Sequence, residues 1–416
     1  MRNTRGIALC LGLLPATAML MRAPAAQGAD AGDLRPDCPT GDVVVVAGGD
    51  PPLLKALAQQ LALDPNKITI IQVPTQSCTA IAWLNDPNKT VTDPGNTADS
   101  AAFYDSNGVS AQCKLAPTKV DVAFSDSFAT TCSINVAGDV GDFFGPVSPQ
   151  VFVVPSTSSQ KAISAEAAYS AFGVYNGAAK PWIDKAFFSI RTETSGTQQV
   201  ISSMIGVPAN QWWGAKKGGS SRIIPELINV GKGLNPDGTT PTGGADPTLA
   251  EKAIGTLPSE NAQPPATKAN IRILAYQGHG QIAAFYPDSS VDKLDKRNVR
   301  DGHYELWGPL HLFSHVDTAT GAPVSRSKPI VDRFTGELTK LVLDGIADNF
   351  LVPRCAMKVR RTTEGGPLSS YTPDKSCACY FDSKPERGGT TCKACTTDTD
   401  CPTATPKCNY NYCEVR

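Results

Sequence analysis

The chain has 416 residues, with 38 basic and 39 acidic side chains and a formal net charge of −1 at pH 7. This balance argues against a nucleic-acid-binding protein, because such proteins carry a strongly basic face. Residues 1–29 begin with Arg2 and Arg5, continue through the apolar stretch Ile7–Met21 and end in small residues. That order predicts a cleaved signal peptide and export to the periplasm or to the outside of the cell.

The cysteines predict disulfide bonds rather than free thiols. Cleavage of the signal peptide would remove Cys10 and leave 12 of the 13 cysteines, an even number that predicts a disulfide framework in an exported chain. Residues 133–354 contain none, so we expect the middle of the chain to form a large core that is stable without disulfides. The first group of cysteines, which allows several pairings, consists of Cys38, Cys78, Cys113 and Cys132.

The tail, residues 355–416, contains the other eight cysteines together with many Thr, Asp, Gly and Pro residues. A segment with almost no aliphatic core depends on covalent links, so this composition predicts a small disulfide-rich module. Zinc is the alternative ligand for Cys392-x-x-Cys395, but a second pair at zinc-finger spacing is missing. We expect the tail to serve in surface attachment or in binding a cell-surface partner.

Three stretches in the first part of the chain combine a buried strand with a small polar loop. Val43–Val46 precedes Gly48-Gly49-Asp50 and a helix with leucines at helical spacing, while Ile68–Val73 precedes Ser77. Val120–Phe124 precedes Ser125-Asp126. Because ligands bind beyond the carboxyl ends of parallel strands, these loops predict one side of a ligand site.

The second part of the chain repeats this pattern. The apolar run at 187–190 is followed by Arg191, by a Ser195-Gly196-Thr197 turn and by a predicted helix, Gln198–Ile205. Gly196 lets the backbone approach a ligand, and the free N–H groups of a helix start attract an anion. Arg191 adds a permanent charge with a planar set of donors. The stretch therefore predicts either an anion site or a simple N-cap after a strand.

The remaining elements predict two similar α/β lobes with crossing strands at Val151–Val154 and Leu306–Phe313. We expect Lys232–Ala269 to be mostly loop, with one helical turn at Ala250–Ile254. The other predicted elements are helices at Ile163–Phe172, Arg222–Val230 and Ile330–Leu343, and a strand at Ile271–Tyr276. The predicted boundaries are 30–150 for the first lobe, 151–305 for the second, 306–354 for the return to the first, and 355–416 for the tail.

Arg191-x-x-x-Ser195-Gly196-Thr197, with the three loops before it, resembles the phosphate-binding proteins that serve ABC transporters. The resemblance implies a two-lobed type 2 periplasmic binding-protein fold over roughly 40–350, closing on hydrogen phosphate and delivering it to a permease. It implies that Asp126, which as a carboxylate only accepts hydrogen bonds, selects a ligand that still bears a proton. The ligand-binding residues that it implies are Gly48, Gly49, Asp50, Ser77, Ser125, Asp126, Arg191, Ser195, Gly196 and Thr197.

The first loop departs from the family pattern at Asp50-Pro51-Pro52. Two prolines remove two N–H donors from the helix start, and a carboxylate there competes with an anionic ligand. If Asp50 only caps the helix, phosphate still binds with fewer contacts. If it faces the cleft, a weaker anion, a zwitterion or a cation is the alternative ligand. The alternative function is a secreted or cell-surface interaction protein that uses the fold without transport.

Other chemistries are less well supported by the sequence. His303, His311 and His315 lie close together, but no Cys or carboxylate pattern completes a metal site around them. The turn at Ser195 is not a Gly-x-Ser-x-Gly elbow, so it does not favour a nucleophilic enzyme. Trp212 and Trp213 are expected to pack the second lobe, with an aromatic sugar site as the alternative. We therefore predict no enzymatic activity, no metal and no cofactor.

Overall fold

The computed structural model describes residues 33–416 except 62–66, 94, 96–99, 175–178, 336–337, 385–386 and 388. The predicted signal peptide, residues 1–29, lies outside the described residues. The strands of the described part are β1 (Val43–Ala47), β2 (Thr69–Val73), β3 (Ala102–Tyr104), β4 (Ser110–Gln112), β5 (Val122–Ser125), β6 (Val140–Pro155), β7 (Ala162–Ser164), β8 (Phe188–Arg191), β9 (Ala215–Lys217), β10 (Ile254–Pro258), β11 (Ile271–Ile273), β12 (Ala275–Gln277), β13 (Trp307–His315), β14 (Val359–Arg360), β15 (Ser369–Ser370), β16 (Lys407–Asn409) and β17 (Tyr412–Glu414).

The helices of the described part cover both faces of the main sheet. None of them has the length and the apolar character that crossing a bilayer requires. In chain order they are α1 (Pro51–Leu61), α2 (Ser77–Asn85), α3 (Ala165–Gly173), α4 (Gly196–Ile205), α5 (Ser220–Gly231), α6 (Ser259–Ala262), α7 (Pro265–Lys268), α8 (Arg297–Asp301), α9 (Lys328–Thr335), α10 (Lys340–Asp348) and α11 (Ala378–Asp382).

The first lobe is built on the parallel strands β2, β1 and β5, which lie in that order. The four valines of β1 fit a strand covered on both faces, because β-branched side chains pack well in such a position. Helix α1 buries Leu53, Leu54, Leu57 and Leu61 against this sheet. Beyond β5 the sheet continues with β13 and then β6, each antiparallel to its neighbour.

The second lobe repeats this order of strands. Strands β9, β8 and β10 are parallel, and β6 and then β11 follow as antiparallel strands. Strand β6 has 16 residues and therefore serves the first lobe with its beginning and the second lobe with its end. The predicted two-lobed α/β fold with crossing strands at β6 and β13 is confirmed. The residue boundaries given above for the lobes stay predictions, since residues 35–416 form one compact unit.

Three expectations about individual elements need correction. Lys232–Ala269 is loop only in its first part, because from Pro247 onward it contains a 3₁₀ turn, the helices α6 and α7, and β10, a central strand whose five residues are all buried. The expected helical turn at Ala250–Ile254 is a 3₁₀ turn at Pro247–Glu251 that ends before β10. The closing helix expected at Ile330–Leu343 is two helices, α9 and α10. The second begins afresh at Thr339, whose side chain accepts a hydrogen bond from the N–H of Val342.

Two predicted elements begin or end at other residues than expected. Helix α3 begins at Ala165 and not at Ile163, because Ser164 caps it by accepting a hydrogen bond from the N–H of Ala167 at 3.1 Å. The expected strand Ile271–Tyr276 is divided into β11, which pairs with β6, and β12, which pairs with β7.

The predicted disulfide framework is confirmed. The tail is also held by packing, because Ala356, Met357, Cys377 and Phe381 belong to the same buried core as the second-lobe strands. The tail therefore has more apolar support than its composition suggested. The described pairs are Cys38–Cys113, Cys78–Cys132, Cys355–Cys377, Cys379–Cys392, Cys395–Cys408 and Cys401–Cys413.

Candidate functional site

The three predicted first-lobe loops meet at the carboxyl ends of β1, β2 and β5. Gly48 and Gly49 both adopt left-handed backbone conformations, with φ of +77° and +82°, and turn the chain from β1 into α1. Their carbonyl oxygens accept hydrogen bonds from the Gln72 side chain at 3.1 and 2.6 Å. Asp50 immediately precedes α1 and is half-buried. The glycine conformations and the Gln72 side chain therefore fix the turn, which places a carboxyl group at the edge of the sheet.

The loops after β2 and β5 are joined to each other. The Ser77 hydroxyl accepts a hydrogen bond from the backbone N–H of Asp126 at 3.2 Å. The Ser125 hydroxyl donates to the Ser127 carbonyl at 2.7 Å and accepts from the Ser127 N–H at 3.0 Å. Ser125 thus shapes its own loop, whereas Ser77 and Asp126 lie where the second lobe makes contact.

The second lobe contributes Arg191 from the end of β8 and the start of α4. Ser195 is the N-cap residue, and the first helical residues are Gly196 and Thr197. The guanidinium group of Arg191 donates to Gln76 Oε1 at 3.0 Å and to Ser220 Oγ at 3.4 Å. Because Gln76 belongs to the first lobe, Arg191 links the two lobes across the cleft.

The lobes touch directly at Gly196. A Cβ atom at this position would lie 2.5 Å from Ser77 Oγ and 2.6 Å from Asp126 Cβ, so only glycine fits. Close by, the N–H of Cys78 donates to the Thr194 carbonyl at 3.0 Å, which is a backbone hydrogen bond between the lobes. The structure therefore brings Ser77, Asp126 and the start of α4 together in a closed arrangement.

Two donors of this site have no hydrogen-bond partner among the described residues. They are Nε of Arg191 and Oγ of Ser195, and both atoms are buried. A buried donor without a partner costs free energy, so most such groups in folded proteins are satisfied. Both lie beside the N-terminus of α4, whose first N–H groups carry a partial positive charge. This part of the site has the chemistry that binds an oxyanion.

The acidic groups of the site act against the binding of an anion. Burial raises the pKa of Asp50 to about 6, and the nearby carboxylate of Asp126 adds to the shift. Burial also raises the pKa of Asp126, although the charges of Arg191 and His311 act against the shift. For Arg191, burial lowers the pKa, while Asp126 and Glu260 act in the opposite direction. The charges of Asp50 and Asp126 therefore act on each other, and the guanidinium group of Arg191 offsets the charge of Asp126.

Two residues of the site were missed by the sequence analysis. Gln76 lies one position before Ser77, and no motif marks it. Glu260 lies in α6, in a stretch that was expected to be loop, and its carboxyl group accepts hydrogen bonds from Ser148 Oγ at 3.1 and 3.3 Å. Burial raises the pKa of Glu260 well above its usual value, and Asp126 and Asp50 raise it further. Recognising β10 would have placed Glu260 at a strand end and made it a candidate.

The histidines contact carboxylates and aromatic rings. His311 is fully buried in β13, and its Nδ1 lies 2.8 Å from a carboxylate oxygen of Asp142. His315 contacts Asp139 at 3.0 Å, and the ring of His303 stacks on Phe285. In the described chain the three cysteines that could gather round a metal ion, Cys395, Cys401 and Cys413, all belong to disulfides.

The chain is similar to solved structures, but it matches no family model and no curated sequence. A Clostridium perfringens ABC-transporter substrate-binding protein with bound phosphate is 12% identical, with a TM-score of 0.48 over 75% of this chain and 99% of its own. An ABC-type phosphate transport receptor from Vibrio cholerae is 13% identical, with a TM-score of 0.43 over 74% of this chain and 99% of its own.

A protein of another kind is also similar, with a lower TM-score. OxyR of Corynebacterium glutamicum is 9% identical, with a TM-score of 0.39 over 80% of this chain and 72% of its own. With TM-scores below 0.5, these likenesses support no conclusion about a ligand. The fold is established by the strand order of the chain itself, and the chemistry of the cleft has to be judged from its own residues.

Proposed function

We propose that the protein is an extracytoplasmic solute-binding protein that holds a small oxyanion, phosphate in the first instance, between its two lobes. The observation that carries the proposal is the pair of buried donors without partners, Arg191 Nε and Ser195 Oγ, beside the start of α4. Thr197 and the free N–H groups of the helix add donors. Six disulfides are in keeping with an oxidising compartment outside the cytoplasm.

The acidic groups define which form of the anion the site accepts. An ionised Asp126 can accept a hydrogen bond from a ligand that bears a proton, and it repels a fully deprotonated oxyanion. Asp50, with a pKa of about 6, is mostly neutral at pH 5 and mostly ionised at pH 8. We therefore expect phosphate to bind more tightly at pH 5, because both the ligand and the site carry less negative charge there.

Calorimetric titration with phosphate and with sulfate at pH 5 and pH 8 tests the proposal. We expect phosphate to bind at pH 5 at least about tenfold more tightly than at pH 8, since one charge contact of about 1.4 kcal/mol corresponds to that factor. Arg191→Ala should abolish binding, and Arg297→Ala, which removes an exposed arginine of the second lobe, should leave it unchanged. The absence of phosphate binding at both pH values, or binding that survives Arg191→Ala, would refute the proposal.

A second function is favoured by one specific observation. Asp50, Asp126 and Glu260 share the cleft with Arg191, and Gly196 already fills the contact between the lobes. Such a cleft fits a secreted interaction protein that keeps the fold without transport, with the disulfide-rich tail as the surface for a cell-surface partner. Native mass spectrometry of protein purified without added ligand separates the two functions. A retained phosphate ion supports solute binding, and an unoccupied protein that also fails to bind phosphate supports the interaction protein.

Delivery of the ligand to an ABC-transporter permease is a further part of the proposal and depends on phosphate binding. We propose no catalytic role, because the donors and acids of the cleft are arranged to hold a ligand rather than around a nucleophile. We also propose no nucleic-acid partner, in view of the nearly balanced charge of the chain.

A further inference from the structure

The binding function proposed above does not use the segment between Cys355 and Cys377. A disulfide joins its two ends, and we call residues 355–377 the strap. Its middle is a short hairpin in which β14 pairs with β15, Val359 opposite Ser370 and Arg360 opposite Ser369. The tip of this hairpin, residues 361–368, reaches back to the cleft that lies between the lobes.

On the first-lobe side, Glu364 is the contact residue of the tip. Its Oε2 atom accepts hydrogen bonds from the Phe128 N–H at 3.0 Å and from the Thr131 hydroxyl at 2.5 Å. Both donors belong to the loop after β5, the loop that also carries Asp126. Two hydrogen bonds to one largely buried carboxylate form a stronger link than neutral contacts of the same number.

On the second-lobe side, Arg361 and Gly365 are the contact residues. The guanidinium group of Arg361 is only 5% exposed, stacks on the ring of Trp307 at 4.2 Å and donates to the Glu305 carbonyl at 3.0 Å. It also lies 3.5 Å from the sulfur of Met204 in α4. Gly365 has a φ of +65°, and a Cβ there would lie 2.9 Å from the Ser203 carbonyl oxygen, so the tip rests on the backbone of α4.

The tip of the strap therefore contacts both halves of the candidate site. Phe128 and Thr131 belong to the Asp126 loop, and Ser203 and Met204 belong to α4, whose first turn contacts that loop through Gly196. These two elements have to separate when the lobes open. A strap fixed to both, and closed at its base by a disulfide, opposes that separation.

We propose that the strap is a latch that holds the two lobes closed, so that opening of the cleft requires Glu364 to leave Phe128 and Thr131. The latch acts on the lobes with or without a ligand. Solute exchange is then limited by release of the strap. A conventional hinge motion in which each lobe is free does not describe this protein.

Hydrogen–deuterium exchange of the full, oxidised chain tests the latch without a ligand. The N–H of Cys78, bonded to the Thr194 carbonyl, reports on the contact between the lobes, although the Cys78–Cys132 disulfide also links Cys78 to the loop that Glu364 contacts. In Glu364→Ala we expect this amide to exchange at least about tenfold faster, since losing a charged hydrogen bond shifts an equilibrium by that factor or more. Arg361→Ala should act in the same direction from the other lobe, and Glu364→Gln, which keeps an acceptor, should have a smaller effect.

Glu166→Ala is the matched control, because Glu166 is an exposed glutamate of the second lobe that contacts His279 at 2.9 Å, away from the strap. It should leave the exchange of Cys78 unchanged. The latch is overturned if Glu364→Ala frees the amide of Phe128 alone and leaves Cys78 protected. It is equally overturned if exchange increases by one common factor at Cys78 and in the central strands β1 and β6, because that pattern reports a general loss of stability.

Discussion

Replacement of Asp50 by asparagine should stabilise the protein at pH 8 and leave its stability at pH 4 almost unchanged. Burial raises the pKa of Asp50 from 3.8 to about 6, so the folded protein binds this proton more tightly than the unfolded chain does. The corresponding stability is present below pH 4 and is lost as the pH rises to about 6 and beyond. A shift of this size corresponds to about 3 kcal/mol, at about 1.36 kcal/mol for each pKa unit.

Asparagine has nearly the same shape as the protonated carboxyl group and does not ionise. Asp50→Asn should therefore recover about 1–3 kcal/mol of unfolding free energy at pH 8, the lower figure allowing for partial relaxation around the ionised side chain. It also removes the repulsion between Asp50 and Asp126. Because the pKa values of Asp126 and Glu260 are raised as well, the wild-type protein should lose stability between pH 4 and pH 8 by more than the Asp50 contribution.

Urea unfolding with intact disulfides at pH 4 and pH 8 measures these differences directly. Asp42→Asn is the matched control, since Asp42 is exposed just before β1, and it should change stability little at either pH. If Asp50→Asn and the wild-type protein show the same difference between pH 4 and pH 8, Asp50 does not ionise within the buried cleft and the electrostatic description of the site is wrong.

Two further substitutions test the packing. Gly196→Ala places a methyl group within 2.6 Å of Asp126 Cβ, and we expect a loss of about 1–3 kcal/mol in urea unfolding together with faster exchange of the Cys78 amide; unchanged stability would mean that the lobes are not in contact there. Phe381→Ala removes a tail side chain that is 2% exposed within the second-lobe core, and we expect a loss of about 3–5 kcal/mol. A loss below about 1 kcal/mol would mean that the tail folds apart from the lobes.

The sequence predicts the parallel part of the first lobe because its signals are strong and local. Val43–Ala47 is a continuous run of strand-forming residues, and the glycines and Asp50 after it mark the turn into a helix. The crossing strands could be found for the same reason, since Val151–Val154 is fully apolar. The sequence therefore predicts that the site residues following such strands lie near one another.

Other features depend on tertiary contacts that leave no local signal. Strand β10 reads Ile-Gly-Thr-Leu-Pro, a sequence that favours a loop until its neighbours β6 and β8 supply partners. Glu260 was missed together with this strand. The disulfide pairing and the return of Glu364 to the cleft likewise depend on which distant segments meet, and that information is spread over the whole chain.

The long crossing strands also determine the order in which the chain can close its sheets. The first lobe begins at β1, but its sheet is completed only by β13, where His311 lies opposite Ser125. Such a connection has a high contact order, so the N-terminal strands cannot complete their sheet until most of the chain is available. Both disulfides of the first part, Cys38–Cys113 and Cys78–Cys132, lie within this N-terminal segment. Once formed, they restrict the freedom of an open sheet edge while its last strand is still missing.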